Sequence, residues 1–258
     1  MVDITSLNNP VVKDVVRLRT HRKRHDPERF LIEGMRLIER ARAAGVDMAA
    51  VFASEGVSYP GAVSVSVPVM AKMSGRRNPP AIVAVANCWP LAPSFEGAGA
   101  TPETRDDYSG WWVALVGIEK PGNVGAVMRT ASALGASGIL IVDSAVDVFS
   151  TNVVRNSAGA IFSLPIVEIG SDQLREFAAS RSALLVATVP DGGTNLWDAP
   201  LEDAVVLLVG SEANGLPEDL IAASDAVVTV PMHTSSVDSL NASVSAGIVM
   251  ADLVRRRQ

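Results

Sequence analysis

The sequence predicts an α/β protein built on a parallel sheet, and two observations support this. Short apolar runs rich in Val and Leu alternate with segments of helical periodicity in the second half of the chain, which is typical of a parallel sheet covered by helices on both faces. Of the 258 residues, 48% are hydrophobic and 19% are charged, so a sizeable core is expected and global disorder is not.

The front of the chain, residues 1–88, predicts a small α/β domain. Its expected elements are a helix after Asn9-Pro10, a helix over residues 35–44, and strands over residues 30–32, 49–52, 63–67 and 81–86. Residues 89–110 are rich in Pro, Gly, Ser and Thr and have no periodicity, which indicates a linker.

Residues 111–258 predict a second domain in which strands and helices alternate. Its expected elements are strands over residues 112–116, 138–142, 184–188, 205–209 and 227–230, and a helix over residues 124–134. A final helix is expected from one apolar stripe, formed by Leu240, Val244, Gly247, Ile248, Ala251 and Val254.

Charge is distributed unevenly along the chain. The net charge is −6, yet residues 1–45 contain ten basic and six acidic residues, an asymmetry expected of a protein that offers one surface to phosphates. The one cysteine, Cys88, excludes an internal disulfide, and the scattered His residues suggest no metal site. Without a signal-peptide pattern or a membrane-length apolar run, a cytoplasmic protein is expected.

The first motif, residues 118–130, follows a strand and opens a helix. Gly122 and Gly125 permit a close backbone approach, Asn123 is expected to cap the helix, and Arg129 is suited to holding a phosphate or polarising a ribose hydroxyl. A Walker A loop is excluded because no Lys-Ser/Thr follows Gly125, and the dinucleotide fingerprint lacks its third glycine. The alternative is a structural turn with a surface arginine.

Two further motifs follow later strands. Gly210-Ser211-Glu212 comes after the apolar run 204–209, where it suits ribose hydroxyls or a guanidinium, or alternatively starts a helix. Ser239-Leu240-Asn241-Ala242-Ser243 precedes the final helix, which Ser236 or Asp238 could cap. Since the carboxyl ends of parallel strands share one edge of the sheet, these motifs are expected to converge.

Together, Asn-x-Gly-x-x-x-Arg-Thr, Gly-Ser-Glu and Ser-Leu-Asn-x-Ser resemble the three motifs of the SpoU/TrmH branch of the SPOUT RNA methyltransferases, in order and spacing. The resemblance covers residues 111–258 and includes residues 151–166. Residues 30–37 are similar to the L30e-like substrate-binding domain of many members, although residues 78–84 depart from the Pro-Gln-Gly pattern often found there.

This resemblance implies a fold, a partner and a set of site residues. It implies a C-terminal trefoil knot, a homodimer with a shared active site, and S-adenosylmethionine as cofactor. The implied catalytic residues are Arg129, Asn123, Glu212, Ser239 and Asn241. The implied cofactor-binding residues are Thr188, Gly210, Ser211, Glu212, Val230, Met232, Ser239 and Leu240. The expected RNA-binding residues are Arg22, Lys23, Arg24, Arg29 and Arg155.

The resulting interpretation is an enzyme that methylates a ribose 2′-hydroxyl of RNA, with 23S ribosomal RNA favoured. Three alternatives stay open: a tRNA 2′-O-methyltransferase, a non-catalytic RNA-binding protein that retains the fold, and a nucleotide-dependent oxidoreductase, which the missing fingerprint disfavours.

Overall fold

The computed structural model describes residues 3–19, 29–91, 110–201, 204–233 and 239–257. The chain divides into two compact units: residues 1–89 with 147–162, and residues 90–146 with 163–258. Most of the predicted linker lies outside the described residues, as do Arg22, Lys23 and Arg24. The domain bounds 1–88, 89–110 and 111–258 therefore stay predictions.

The first 87 residues contain three helices and four strands within the described ranges. These are α1 (Pro10–Arg17), β1 (Arg29–Glu33), α2 (Met35–Ala43), β2 (Met48–Ser54), β3 (Val63–Val65), α3 (Val67–Ser74) and β4 (Ile82–Asn87). The later elements are β5 (Trp112–Val116), α4 (Pro121–Ala133), β6 (Gly138–Val142), α5 (Thr151–Asn156), β7 (Ile166–Ile169), α6 (Leu174–Ala179), β8 (Leu184–Thr188), β9 (Thr194–Asn195), β10 (Val205–Val209), α7 (Glu218–Ala223), β11 (Ala226–Thr229) and α8 (Ala242–Arg255).

The first unit is built on a four-stranded sheet in the order β1-β4-β2-β3. Strand β4 runs antiparallel to both neighbours, and β2 and β3 are parallel. Residues of α1 and α3 pack against one face of this sheet in a common apolar cluster. Segment 147–162 belongs to this unit, with α5 packed against β1.

One strand predicted for the first unit is longer than the strand in the structure. Residues 63–67 were expected to be extended, but β3 ends at Val65 and Val67 starts α3. The reason is Pro68, which lies in the first turn of α3. A proline has no amide proton, so it cannot donate a hydrogen bond to a neighbouring strand, whereas the first turn of a helix does not require that proton.

The second unit confirms the predicted parallel sheet. Its seven strands lie in the order β7-β6-β5-β10-β8-β11-β9, and every neighbouring pair is parallel. All residues of β5, β6 and β10 are buried, as expected for strands covered on both faces. One face packs against α6 and α7, where Trp112 and Phe177 stack edge-to-face with centroids 5.0 Å apart. The trefoil knot stays a prediction.

The order of the strands determines where the three motifs meet. Strands β5 and β10 are neighbours, with Leu115 paired to Val209, so both end at the same edge of the sheet. From β5 the chain continues to β6 and β7 on one side, whereas β8, β11 and β9 lie on the other side of β10. Such a switch point leaves a crevice at the carboxyl ends of the strands, the usual ligand site of an open α/β sheet.

Candidate functional site

A cavity of about 840 Å³ lies at the carboxyl ends of β8, β10 and β11. Small-molecule sites commonly have volumes of roughly 300–1,000 Å³. Its lining includes all eight residues predicted to bind the cofactor, namely Thr188, Gly210, Ser211, Glu212, Val230, Met232, Ser239 and Leu240. The strand order therefore brings the predicted cofactor residues to one place, and their binding roles stay a prediction.

The wall formed by residues 210–215 is a tight backbone turn. Ser211 and Gly215 exchange two backbone hydrogen bonds of 3.1 and 2.9 Å, and Gly215 has a φ of +67°. A methyl group on Gly210 would overlap the backbone of Gly215, so only glycine fits there without displacement. The close approach gives the cavity a wall made largely of main chain, beside the side chains of Ser211 and Glu212.

The opposite wall is fixed by Thr188 at the end of β8. Its hydroxyl donates a hydrogen bond of 2.7 Å to the carbonyl of Leu208 in the neighbouring strand. This bond uses the only hydroxyl proton, so the Thr188 oxygen can act toward a ligand only as an acceptor.

A chain of side-chain hydrogen bonds connects the three motifs. The Asn241 amide donates to the Asn123 side-chain oxygen over 3.3 Å, and the Asn123 amide donates to a carboxylate oxygen of Glu212. Asn123 is buried, while Asn241 lies at the start of α8. A buried amide in such a chain has defined donor and acceptor sides, so it fixes the loops at both ends.

Two predicted helix caps are wrong. Asn123 does not precede its helix, because α4 begins at Pro121, a residue suited to the first turn, and Asn123 points sideways to Glu212 instead. The final helix begins at Ala242 and its cap is Asn241, whose side-chain oxygen accepts from the Ser243 amide at 3.0 Å. Ser236 and Asp238 lie outside the described residues.

Arg129 is not part of this cluster. It is exposed on α4, six residues after Asn123, or about 9 Å along the helix axis. Glu212 and Asn241, which the resemblance groups with Arg129 as catalytic residues, both bond to Asn123 instead. The structure therefore gathers Asn123, Glu212, Ser239 and Asn241 near the cavity and leaves the Arg129 guanidinium accessible.

Sequence reasoning missed several residues of the cavity, above all Lys120 and Asp191. Lys120 precedes α4 and also lines an adjoining cavity of about 140 Å³ with Glu119, Ser211, Glu212 and Ala213. An isolated lysine before a helix has no motif that distinguishes it from a surface residue. Only the position of α4 beside the turn 210–215 makes it part of a site.

In the first unit, arginines surround the buried carboxylate of Glu33. Arg76 Nη2 lies 2.5 Å from Glu33 Oε2, and Arg155 donates a 2.6 Å hydrogen bond to Asn152. Burial raises the pKa of Glu33, and this is partly offset by the charges of Arg76, Arg155 and Arg19. Of the predicted RNA-binding residues, Arg155 is exposed and Arg29 is half-buried at the start of β1.

Neither a membrane helix nor a metal cluster is present in the described part of the chain. No helix there combines the length and apolar character needed to cross a bilayer. No group of three or more His, Cys, Asp or Glu residues among those described is placed to hold a metal ion.

Two segments of the chain match protein-family models. Residues 110–251 match the SpoU rRNA Methylase family, and residues 9–84 match the MRM3-like substrate binding domain. The 23S rRNA (adenosine(1067)-2′-O)-methyltransferase of Streptomyces azureus is 32% identical over 275 residues, covering 98% of this chain and 96% of that protein.

Two solved structures are similar over nearly their whole length. An RNA 2′-O ribose methyltransferase is 35% identical with a TM-score of 0.83, covering 98% of each chain. The AdoMet-bound rRNA methyltransferase of Sinorhizobium meliloti is 28% identical with a TM-score of 0.82, covering 98% of this chain and 97% of that one. With its matching motifs, its parallel sheet and the family match over more than half its length, the chain belongs to the SpoU rRNA Methylase family.

Proposed function

We propose that this protein transfers the methyl group of S-adenosylmethionine to a ribose 2′-hydroxyl in 23S ribosomal RNA. The observation that supports this most is the hydrogen-bonded chain Asn241–Asn123–Glu212 beside a cavity of cofactor size, in a member of a family of RNA methylases. Ribosomal RNA is favoured because relatives that span almost the whole chain are named for 23S rRNA.

The cavity fits S-adenosylmethionine in volume and chemistry. It combines apolar side chains such as Leu240 and Met232 with the charged groups of Lys120 and Asp191, which suit a zwitterionic amino-acid portion. The cofactor would supply an electrophilic methyl carbon on a sulfonium, which becomes a neutral thioether when the methyl group leaves.

The remaining work of the protein is alignment and charge stabilisation. Glu212 and Asn241 hold Asn123 in place, and Asn123 and Ser239 position the ribose hydroxyl. Arg129 acts in this proposal as a hydrogen-bond donor, since a guanidinium has five N–H donors and no acceptor. Arg129 grips the target phosphate and stabilises the developing alkoxide, and the proton passes to a backbone phosphate or to water.

The first unit contributes RNA affinity through its arginines. Arg19, Arg76 and Arg155 all interact electrostatically with the buried carboxylate of Glu33, so positive charge exceeds negative charge around it. Two of these arginines, Arg19 and Arg155, are exposed. Phosphate contacts of this kind position RNA without reading its sequence, and their affinity falls steeply with salt. Together with Arg29 and the basic residues Arg22, Lys23 and Arg24, they form the proposed RNA-binding set.

A homodimer in the cytoplasm is part of the same proposal. The apolar stripe predicted on the last helix is not the side that α8 buries: Ala246, Val249, Met250 and Leu253 are buried, whereas Val244 is 52% exposed. An apolar face left exposed on a helix favours a contact with a second copy. Light scattering tests this, with twice the chain mass of 27.0 kDa expected.

The function is tested by methyl transfer from labelled S-adenosylmethionine to purified substrates. We expect label in 23S rRNA, at one ribose, and none in a tRNA pool. Transfer to tRNA alone would replace the substrate in this proposal, and transfer to neither RNA would contradict it.

A further inference from the structure

The last turn of α8 contains a buried carboxylate held by two consecutive arginines. The Asp252 side chain is 1% exposed and lies 2.7 Å from Arg255 Nη2 and 2.6 Å from Arg256 Nε. Burial alone would raise the pKa of Asp252, but the hydrogen bonds from Arg255 and Arg256 outweigh it and hold the pKa below its ordinary value. The carboxylate is therefore charged and anchors both guanidinium groups.

The two arginines differ in what else they reach. Arg255 is 66% exposed, and its Nε and Nη2 both donate to Asp252 Oδ1. Arg256 is 21% exposed and extends further: its Nη1 donates to the Ala199 carbonyl at 2.6 Å, and its Nη2 donates to the Leu196 carbonyl at 2.7 Å. Of these two arginines, Arg256 is therefore the one that joins the end of α8 to the segment 196–199.

That segment continues from a wall of the cofactor cavity. Residues 189–191 follow β8 and line the cavity. The chain then pairs with β11 through β9, and the Gly193 amide donates to the Thr229 hydroxyl at 3.0 Å. Strand β11 leads directly to Val230 and Met232, which also line the cavity. The connection 189–199 is thus attached at β11 and at Arg256, and its first residues form the wall.

We propose that Arg256 is a positioning residue for cofactor binding, which holds the connection 189–199 so that residues 189–191 are ordered before the cofactor arrives. This rests on the proposed use of the cavity for S-adenosylmethionine. A planar guanidinium that binds one carboxylate and three carbonyls, those of Leu196, Trp197 and Ala199, fixes a backbone segment in a way that a lysine cannot. Without it, the carbonyls at residues 196–199 lose this donor, whereas the connection keeps its hydrogen bonds to β11, made by Val189, Gly193 and the two-residue strand β9.

The test compares Arg256→Ala with Arg255→Ala in the full-length protein. Both variants remove one guanidinium from Asp252, but only the first releases the carbonyls of Leu196 and Ala199. For Arg256→Ala we expect the Kd of S-adenosylhomocysteine, measured by calorimetry, to rise about tenfold, and the backbone amides of residues 192–199 to lose protection from hydrogen exchange. For Arg255→Ala we expect both quantities to stay within about twofold of the unsubstituted protein.

Arg256→Lys and Thr229→Val complete the series. The lysine variant keeps the charge without the fork and should behave as Arg256→Ala does, and Thr229→Val removes the acceptor of Gly193 and should weaken binding in the same direction. Unchanged affinity and unchanged exchange in Arg256→Ala would overturn the proposal. Equal effects of Arg255→Ala and Arg256→Ala would overturn it too, since they would reduce the role to the ion pair.

The outcome also separates this inference from the proposed function. If the unsubstituted protein bound no S-adenosylhomocysteine, the cofactor assignment would fail, and hydrogen exchange in residues 192–199 would still decide whether Arg256 orders the connection. If Arg256→Ala did not fold, the lysine and Thr229→Val variants would decide the same question through affinity and exchange.

Discussion

Asn123 donates its side-chain amide to the carboxylate of Glu212, which lies 89 residues further along the chain. This bond joins the helix after β5 to the turn after β10, and these two strands are neighbours in the parallel sheet. It turns two short motifs into one site, because the position of each depends on the other.

Replacing Asn123 by Asp should damage this site more than any neighbouring change. The substitution sets a second carboxylate against Glu212 in a buried position and removes the amide donor. We expect the free energy of unfolding in urea to fall by about 1–3 kcal/mol, because the half-buried Glu212 carboxylate loses its donor and faces a like charge. Methyl transfer should fall at least tenfold. Asn8→Asp, on an exposed residue, should change neither quantity.

Arg129→Ala should separate catalysis from cofactor binding. The side chain is exposed and does not line the cavity, so the Kd of S-adenosylhomocysteine should be unchanged. Methyl transfer to RNA should fall by about a hundredfold or more, because the charge that stabilises the developing alkoxide is lost. Arg129→Lys should recover only part of the rate, since an ammonium lacks the bidentate fork. Transfer near the normal rate in Arg129→Ala would remove Arg129 from the mechanism.

Gly210→Ala should abolish cofactor binding. The added methyl group would overlap the backbone of Gly215, and the turn 210–215 would have to open. Gly122→Ala is the matched control, because nothing lies within 4 Å of its added methyl group and it sits in the first turn of α4. Calorimetry with S-adenosylhomocysteine should find binding in the control and none in Gly210→Ala. In thermal unfolding the control should be as stable as the unsubstituted protein or up to about 1 kcal/mol more stable.

The Glu33 carboxylate should make stability depend on pH in an unusual direction. Its pKa in the folded protein is raised above the ordinary value of 4.5, mainly by burial. Its protonated form is therefore the better buried one, and the stability it contributes is complete below pH 4.5 and is lost as the pH rises through the raised pKa. Glu33→Gln keeps the shape without the charge.

The measurement is urea unfolding of both proteins between pH 4 and pH 8. The free energy of unfolding of the unsubstituted protein, relative to Glu33→Gln, should fall as the pH rises from about 4.5 and then level off. A relative gain in stability over that range would mean that Arg76 and its neighbours outweigh the cost of burial.

The sequence predicts those parts of the fold that depend on local pattern. The bounds of β5, β6, β8 and β10 agree with their apolar runs, because buried parallel strands need Val and Leu at every position. The convergence of the three motifs also follows from strand ends sharing one edge.

Other features depend on contacts that no local pattern contains. The bond from Asn123 to Glu212 could not be predicted, because Asn123 has the same local pattern whether it caps a helix or points sideways. The apolar residues of α8 form more than one stripe along the helix, and the stripe that we predicted is not the one that is buried in the structure. Lys120 becomes part of a site only through the turn that the fold places next to it.

The assignment of a ribose oxygen as the methyl acceptor carries the proposed function. It is tested most directly by methyl transfer to two synthetic RNA fragments spanning the modified nucleotide of 23S rRNA, one natural and one with a 2′-deoxyribose at that nucleotide. We predict transfer to the natural fragment and none to the deoxy fragment, with both fragments bound equally. Transfer that continues on the deoxy fragment would place the methyl group on another atom, such as one of the base, and the proposed function would be wrong.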